Sequence, residues 1–169
     1  MAKQNSVIID PGHGGSDPGA VYGNRREKDD TLALAYDIGN ALEQRGIRVE
    51  YTRIGDIYNS PYEKAEIGNR SAADLFLSIH RNAMPVPGTG SGTMSLTFGR
   101  GGDAETFASN INKELAKTGW KDLGISERPN LVVLRDTALP AVLVEVGFID
   151  NENDNDFFDA NMRQTADAI

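Results

Sequence analysis

The chain has 169 residues, 39% of them hydrophobic and 25% charged, enough to bury one sizeable core without covalent staples. It contains no cysteine, which excludes disulfides and thiolate metal sites, and its formal charge of -8 argues against nucleic acid as a partner. No apolar stretch approaches the roughly 20 residues of a membrane span.

Taken in chain order, MAKQNS leads into the first strand without an apolar leader, so a leaderless or trimmed chain is expected. Val7 to Asp10 reads as a short buried strand and is followed by the glycine-rich loop GHGGSDPGAVYGNRR. From Glu27 to Arg45, Leu34, Ile38, Ala41 and Leu42 recur at helical spacing, and Gly46 ends the helix. IRVEYTR alternates as a half-buried strand. Ser60-Pro61-Tyr62-Glu63 combines an N-cap serine, proline at the first helical position and glutamate at the third, predicting a helix to about Ala73.

Asp74 to His80 reads as the third strand and GTMSLTF as the fourth. Asp103 is the expected cap of a helix that turns Phe107, Ile111 and Leu115 inward. LVVL and AVLVEVGF are the last two strands expected. MPVPGTGSG reads as a loop within one domain spanning residues 1–169, and NMRQTADAI as the opening of a helix that stops without a cap. The alternation predicts an α/β domain: a mixed, mainly parallel sheet of about six strands with helices on both faces.

Two histidines, the only ones present, each close an apolar strand-like run: His13 ends SVIIDPGH and His80 ends ADLFLSIH. AVLVE ends in Glu145, and Glu27 opens the first helix. In an open α/β sheet such positions gather at the carboxyl edge of the strands, where ligands bind. Two imidazoles and two carboxylates there have the make-up of a hydrolytic zinc centre. Each residue alone has a plainer reading. His13 could be a loop histidine satisfied by hydrogen bonds, His80 alone is no more telling, and Glu27 suits any helix first turn. Glu145 is harder to dismiss, because a charge inside AVLVEVGF is costly to bury unless paired or functional. The glycine-rich loop matches neither G-x-G-x-x-G nor G-x-x-x-x-G-K-[ST], so a phosphate cradle is not expected.

IDPGHGG-DPGA, an E-K pair opening a helix, SIH-NA and PAVLVEVGF, in that order, resemble the zinc-dependent N-acetylmuramoyl-L-alanine amidases of the amidase-3 family; YTR and VLRDTALPAVLVE fit as well. The resemblance implies one zinc per chain bound by His13, Glu27 and His80 with water in the fourth position, and Glu145 as the catalytic carboxylate. It implies peptidoglycan as the partner, cut at the amide between N-acetylmuramic acid and L-alanine, and action on the bacterial cell wall as a phage lysin, sporulation enzyme or autolysin. A wall-binding domain elsewhere in a longer chain is expected. The alternatives are a zinc peptidase cutting within the stem peptide and a wall-binding module without turnover.

Asp10 is the expected acceptor that orients the His13 ring. Arg81 stands where the family usually has a small residue; it and Asn82 are the expected substrate contacts, with Arg81 at the cleft mouth meeting a substrate carboxylate. The segment from Asn82 to Asp103 has no room for the autoinhibitory helix of some family members, so constitutive activity is expected.

Overall fold

A computed structural model describes residues 5–169; the reading of the amino terminus as leaderless lies largely outside the described residues. The strands are β1 (Ser6–Pro11), β2 (Val21–Tyr22), β3 (Arg25–Arg26), β4 (Arg48–Tyr51), β5 (Leu75–Asn82), β6 (Thr93–Thr97), β7 (Asp122–Glu127) and β8 (Ala141–Phe148). The helices are α1 (Glu27–Gln44), α2 (Pro61–Arg70), α3 (Gly102–Thr118), α4 (Val132–Arg135) and α5 (Glu152–Ala168). Six strands form one sheet in the order β4-β1-β5-β8-β6-β7, and β2 and β3 form a small antiparallel ribbon. β4, β1, β5 and β8 are parallel; β6 runs antiparallel to β8 and parallel to β7.

Alternation along the strands feeds two cores. Val7, Ile9, Leu77, Ile79, Val142 and Val144 meet α1, α3 and α5, while Ile8, Phe76 and Leu143 meet the layer containing α2 and α4. The central parallel strands β1, β5 and β8 are buried on both faces, which explains their apolar runs. α2 starts as expected: the Ser60 hydroxyl accepts from the Glu63 N–H, and the Glu63 carboxylate accepts from the Ser60 N–H at 2.7 Å.

Four expectations need correction. LVVL is not a strand: Val132–Arg135 is the short helix α4, because a four-residue apolar run fits a buried turn of helix as well as a strand. The sixth strand is instead β7, an edge strand whose side chains are half-buried or exposed and so lack an apolar signature. Asp103 lies inside α3, whose N-cap is Gly101; the Glu105 carboxylate accepts from the Gly101 N–H at 2.6 Å. Ile111 and Leu115 do face the core, but Phe107 is 40% exposed. The last helix begins at Glu152, capped by Asn151, and NMRQTADAI is only its second half beyond a kink at Asn161.

Candidate metal centre

Where β1 ends, the chain turns into the Gly12–Gly19 loop, and His13 adopts φ +61°, the only non-glycine in the left-handed region among the described residues. Such a conformation costs of order 1–3 kcal/mol and persists only where the surroundings enforce it. Here they do. The Pro11 carbonyl accepts from Lys64 Nζ (2.7 Å) and Arg53 Nε (3.1 Å), and the Gly12 carbonyl from Arg53 Nη2 (2.9 Å) and Thr31 Oγ1 (2.8 Å). The Gly15 carbonyl accepts from Lys28 Nζ at 2.8 Å. Gly12 and Gly19 are required for close approach: a Cβ on Gly12 would lie 2.5 Å from the His80 ring, and one on Gly19 2.5 Å from the His13 ring and 2.7 Å from Glu27 Oε2.

Glu27, at the first position of α1, sits between the two imidazoles. Its Oε2 lies 3.0 Å from His13 Nε2 and its Oε1 2.9 Å from His80 Nδ1. Backbone N–H groups of Ala20 and Arg81 donate to the same two oxygens, each at 2.9 Å. Burial pushes the Glu27 pKa upward, but the hydrogen bonds and charges of both histidines outweigh it and hold the carboxyl well below its usual range. Burial also opposes charging of His13, yet Glu27 and Asp17 prevail and raise its pKa. The rings stand edge to face, centroids 4.8 Å apart.

One ligand atom from each of His13, Glu27 and His80 lies within 4.8 Å of the others. A zinc ion with bonds of about 2.0–2.1 Å places its donors roughly 3.3 Å apart, so these three fit one ion with small adjustments. The chemistry fits too: two imidazole nitrogens and an ionised carboxylate, without thiolate, are the donors of a hydrolytic zinc site. His13 Nδ1 is engaged by Asp17 Oδ2 at 2.8 Å, which leaves Nε2 for the metal.

That last contact corrects the expectation for Asp10, which does not touch His13. Asp10 is wholly buried; it pairs with Lys64 Nζ (3.0 Å) and accepts from Thr52 Oγ1 (2.6 Å) and Ser78 Oγ (2.7 Å). Asp17 sits four residues beyond His13 in the same glycine-rich loop, the one signal that marks it.

Glu145 lies in β8 with its Cα in register with His80 on β5. Its Oε2 is buried and has no hydrogen-bond partner. Burial, with the neighbouring Glu27 charge adding to it and His80 opposing, pushes its pKa up to about 7. Beside His13 and His80 opens a cavity of about 250 Å³, walled by Pro61, Leu131, Val132, Val133 and Leu143. This apolar wall went unread in the sequence, because its residues come from α2, α4 and β8, elements remote from one another in the chain.

Arg81 is not at the cleft mouth. It is 3% exposed, and its guanidinium points into the α1/α5 layer, with Nη1 2.5 Å from Asp30 Oδ2. Alternation is the reason: one residue beyond His80, it faces the other side of the sheet. Asn82 ends β5 half-buried, its Nδ2 donating to Met94 Sδ at 3.6 Å and its Oδ1 accepting from the Ala83 N–H.

Residues 7–169 match the family described as Amidase_3, N-acetylmuramoyl-L-alanine amidase. The chain is 39% identical to the N-acetylmuramoyl-L-alanine amidase CwlM of Bacillus licheniformis over 88% of its own length and 58% of that protein's. It is 36% identical to the endolysin of Bacillus phage SPP1, again over 88% of this chain and 56% of the relative. It thus spans less than two thirds of the length of these relatives. The crystal structure of an N-acetylmuramoyl-L-alanine amidase from Clostridium difficile 630 superposes with a TM-score of 0.92 at 32% identity, covering 99% of this chain and 94% of that one. The chain belongs to the amidase-3 family of N-acetylmuramoyl-L-alanine amidases.

Proposed function

We propose that this domain hydrolyses the amide joining the lactyl group of N-acetylmuramic acid to L-alanine in bacterial peptidoglycan, with one zinc ion held by His13, Glu27 and His80. The observation that carries this reading is Glu145: a carboxyl oxygen buried without a partner, on the strand position in register with a metal-ligand histidine. When bound, zinc supplies Lewis-acid polarisation of the amide carbonyl and a water acidic enough to ionise near neutral pH.

The protein residues do the rest. Glu145, its pKa near 7, takes the proton of the attacking water as the C–O bond forms. It returns that proton to the alanine nitrogen as the C–N bond breaks, so the leaving group departs as a free amine. Asp17 keeps His13 oriented, and the backbone donors of Ala20 and Arg81 keep Glu27 oriented. The apolar residues that wall one side of the cavity offer water few partners beside the reacting bond. Asn82 remains a candidate substrate contact; Arg81, being buried, does not. The likeness to an N-acetylmuramoyl-L-alanine amidase and to a phage endolysin supports action on the cell wall as a lysin or autolysin.

Digestion of purified cell walls, with metal content measured on the same preparations, tests the reading. One zinc per chain is expected in both the natural protein and Glu145→Ala, with new amino-terminal L-alanine released only by the former. New termini from elsewhere in the stem peptide would make it a zinc peptidase, and wall binding without release a non-catalytic module. Absence of zinc from both proteins would overturn the metal site.

A further inference from the structure

We propose that the buried Arg81–Asp30 ion pair is a positioning device for the metal centre, fixing the spacing between Glu27 and His80; this rests on the reading that these residues bind a metal. Arg81 follows His80 on β5, and Asp30 lies three residues after Glu27 on α1, so the pair ties together the two elements that carry those ligands. Both terminal nitrogens of the side chain are committed. Nη1 donates to Asp30 Oδ2 at 2.5 Å and Nη2 to Asn155 Oδ1 on α5 at 2.7 Å. The guanidinium carbon sits 4.1 Å from the centre of the Phe158 ring. The same residue's backbone N–H donates to Glu27 Oε1 at 2.9 Å. Arg81 therefore grips α1 at two places one helical turn apart, once through its main chain and once through its side chain.

Stability gives a poor account of this arrangement. Burying a guanidinium is expensive, Arg81 Nε is left buried without a partner, and a well-packed apolar side chain commonly does as well or better at such a site. Geometry gives a better one. The planar fork reaches Asp30 and Asn155 simultaneously, so β5, α1 and α5 are held in a single mutual arrangement. Asp30 also receives Arg25 Nε at 2.7 Å, and Arg25 extends to Asp159 on α5. Removing Arg81 therefore does not leave Asp30 as a lone buried charge. This separates a positioning role from a structural one: loss of the arginine should weaken the metal without a matching loss of folding stability.

The test is zinc affinity, measured by competition with a chromophoric chelator on the metal-free protein, beside the melting temperature of that metal-free protein. Arg81→Met is expected to weaken zinc binding by about 10-fold or more with little change in melting temperature. Arg81→Lys, which keeps the charge but loses the fork, should fold as the natural protein does and still bind zinc more weakly. Trp120→Phe serves as the control: it removes the buried hydrogen bond from Trp120 Nε1, before β7, to Thr165 Oγ1 on α5 (2.9 Å), neither on an element that carries a ligand, and should lower the melting temperature while leaving zinc affinity intact. Zinc affinity within twofold of the natural protein in both Arg81 variants would overturn the proposal, as would equal weakening in Trp120→Phe. A natural protein that binds no zinc would instead remove the reading on which the proposal rests.

Discussion

The first turn of α1 and the middle of β8 each bring a carboxylate to the same edge of the sheet, and the two are treated in opposite ways. Around Glu27 the chain supplies a full set of donors: two imidazoles and the N–H groups of Ala20 and Arg81. Around Glu145 it leaves Oε2 buried with none. Elementary electrostatics then pushes their pKa values apart, Glu27 well below the carboxylate range and Glu145 up to about 7. A carboxylate that stays ionised suits a metal ligand, and one that changes protonation near neutral pH suits an acid–base catalyst. Identical side chains thus receive different work from their surroundings.

The sharpest way to break this contrast is to exchange the consequences of losing each side chain. Glu27→Ala removes the anion that both imidazoles share. Zinc content, read by elemental mass spectrometry, should fall to background, and wall lysis with it. Chelation of the natural protein should give the same loss, but added zinc should restore only the natural protein. Glu145→Gln should behave differently, retaining one zinc per chain while kcat falls about 10²- to 10⁴-fold, the usual range for a lost acid–base group. Should Glu145→Gln also empty the site, the two carboxylates would be co-ligands and the contrast would fail.

Folding stability of the metal-free protein sharpens the same comparison. The pKa of Glu145 is raised from 4.5 to about 7, so its contribution is undiminished below pH 4.5 and is lost as pH rises through 7. The depressed pKa of Glu27 works the other way: its contribution is present above the ordinary carboxylate pKa and lost as pH falls. The raised pKa of His13 also removes stability on the alkaline side, in both proteins of the comparison. Urea titrations of metal-free Glu145→Gln and the natural protein should therefore diverge from pH 5 to pH 8. The variant should gain on the order of 3 kcal/mol across that range. Parallel curves would show that Glu145 is already ionised at pH 5.

Much of this contrast was legible before any coordinates. Polar residues that break or follow apolar parallel runs toward their carboxyl ends are brought to one side of the sheet, and that constraint gathers His13, His80 and Glu145. Arg81 was equally legible but misread: counting by twos from His80 places it on the opposite face, beneath α1 and α5 rather than in the cleft. Other features lacked a local signal. LVVL is too short for periodicity to separate strand from helix. β7 pairs only with β6 at the sheet edge and has no apolar alternation to display. The orientation of Asp10 depends on Lys64, Thr52 and Ser78, which converge on it from three separate elements or turns. No spacing rule within the His13 loop could reveal that Asp10 was already taken.

Asp17 completes the comparison with the smallest expected effect. Its carboxylate accepts from His13 Nδ1 and, through its other oxygen, from the Gly19 N–H at 2.9 Å. Its side chain is 44% exposed, so solvent screens its charge and it fixes ring orientation more than it would strengthen a bond from His13 to a metal. Asp17→Asn keeps an oxygen for Gly19 but removes the anion that holds the His13 ring. Zinc affinity should fall about 10-fold, at the low end of the range for groups that support a ligand. At saturating zinc, kcat should return to that of the natural protein, because Glu145 and its burial are untouched. This is the inverse of Glu145→Gln, which loses turnover and keeps the metal. A fall in kcat that persists at saturating zinc would place Asp17 in the chemistry itself, and the division between a ligand side and an acid–base side would have to be redrawn around it.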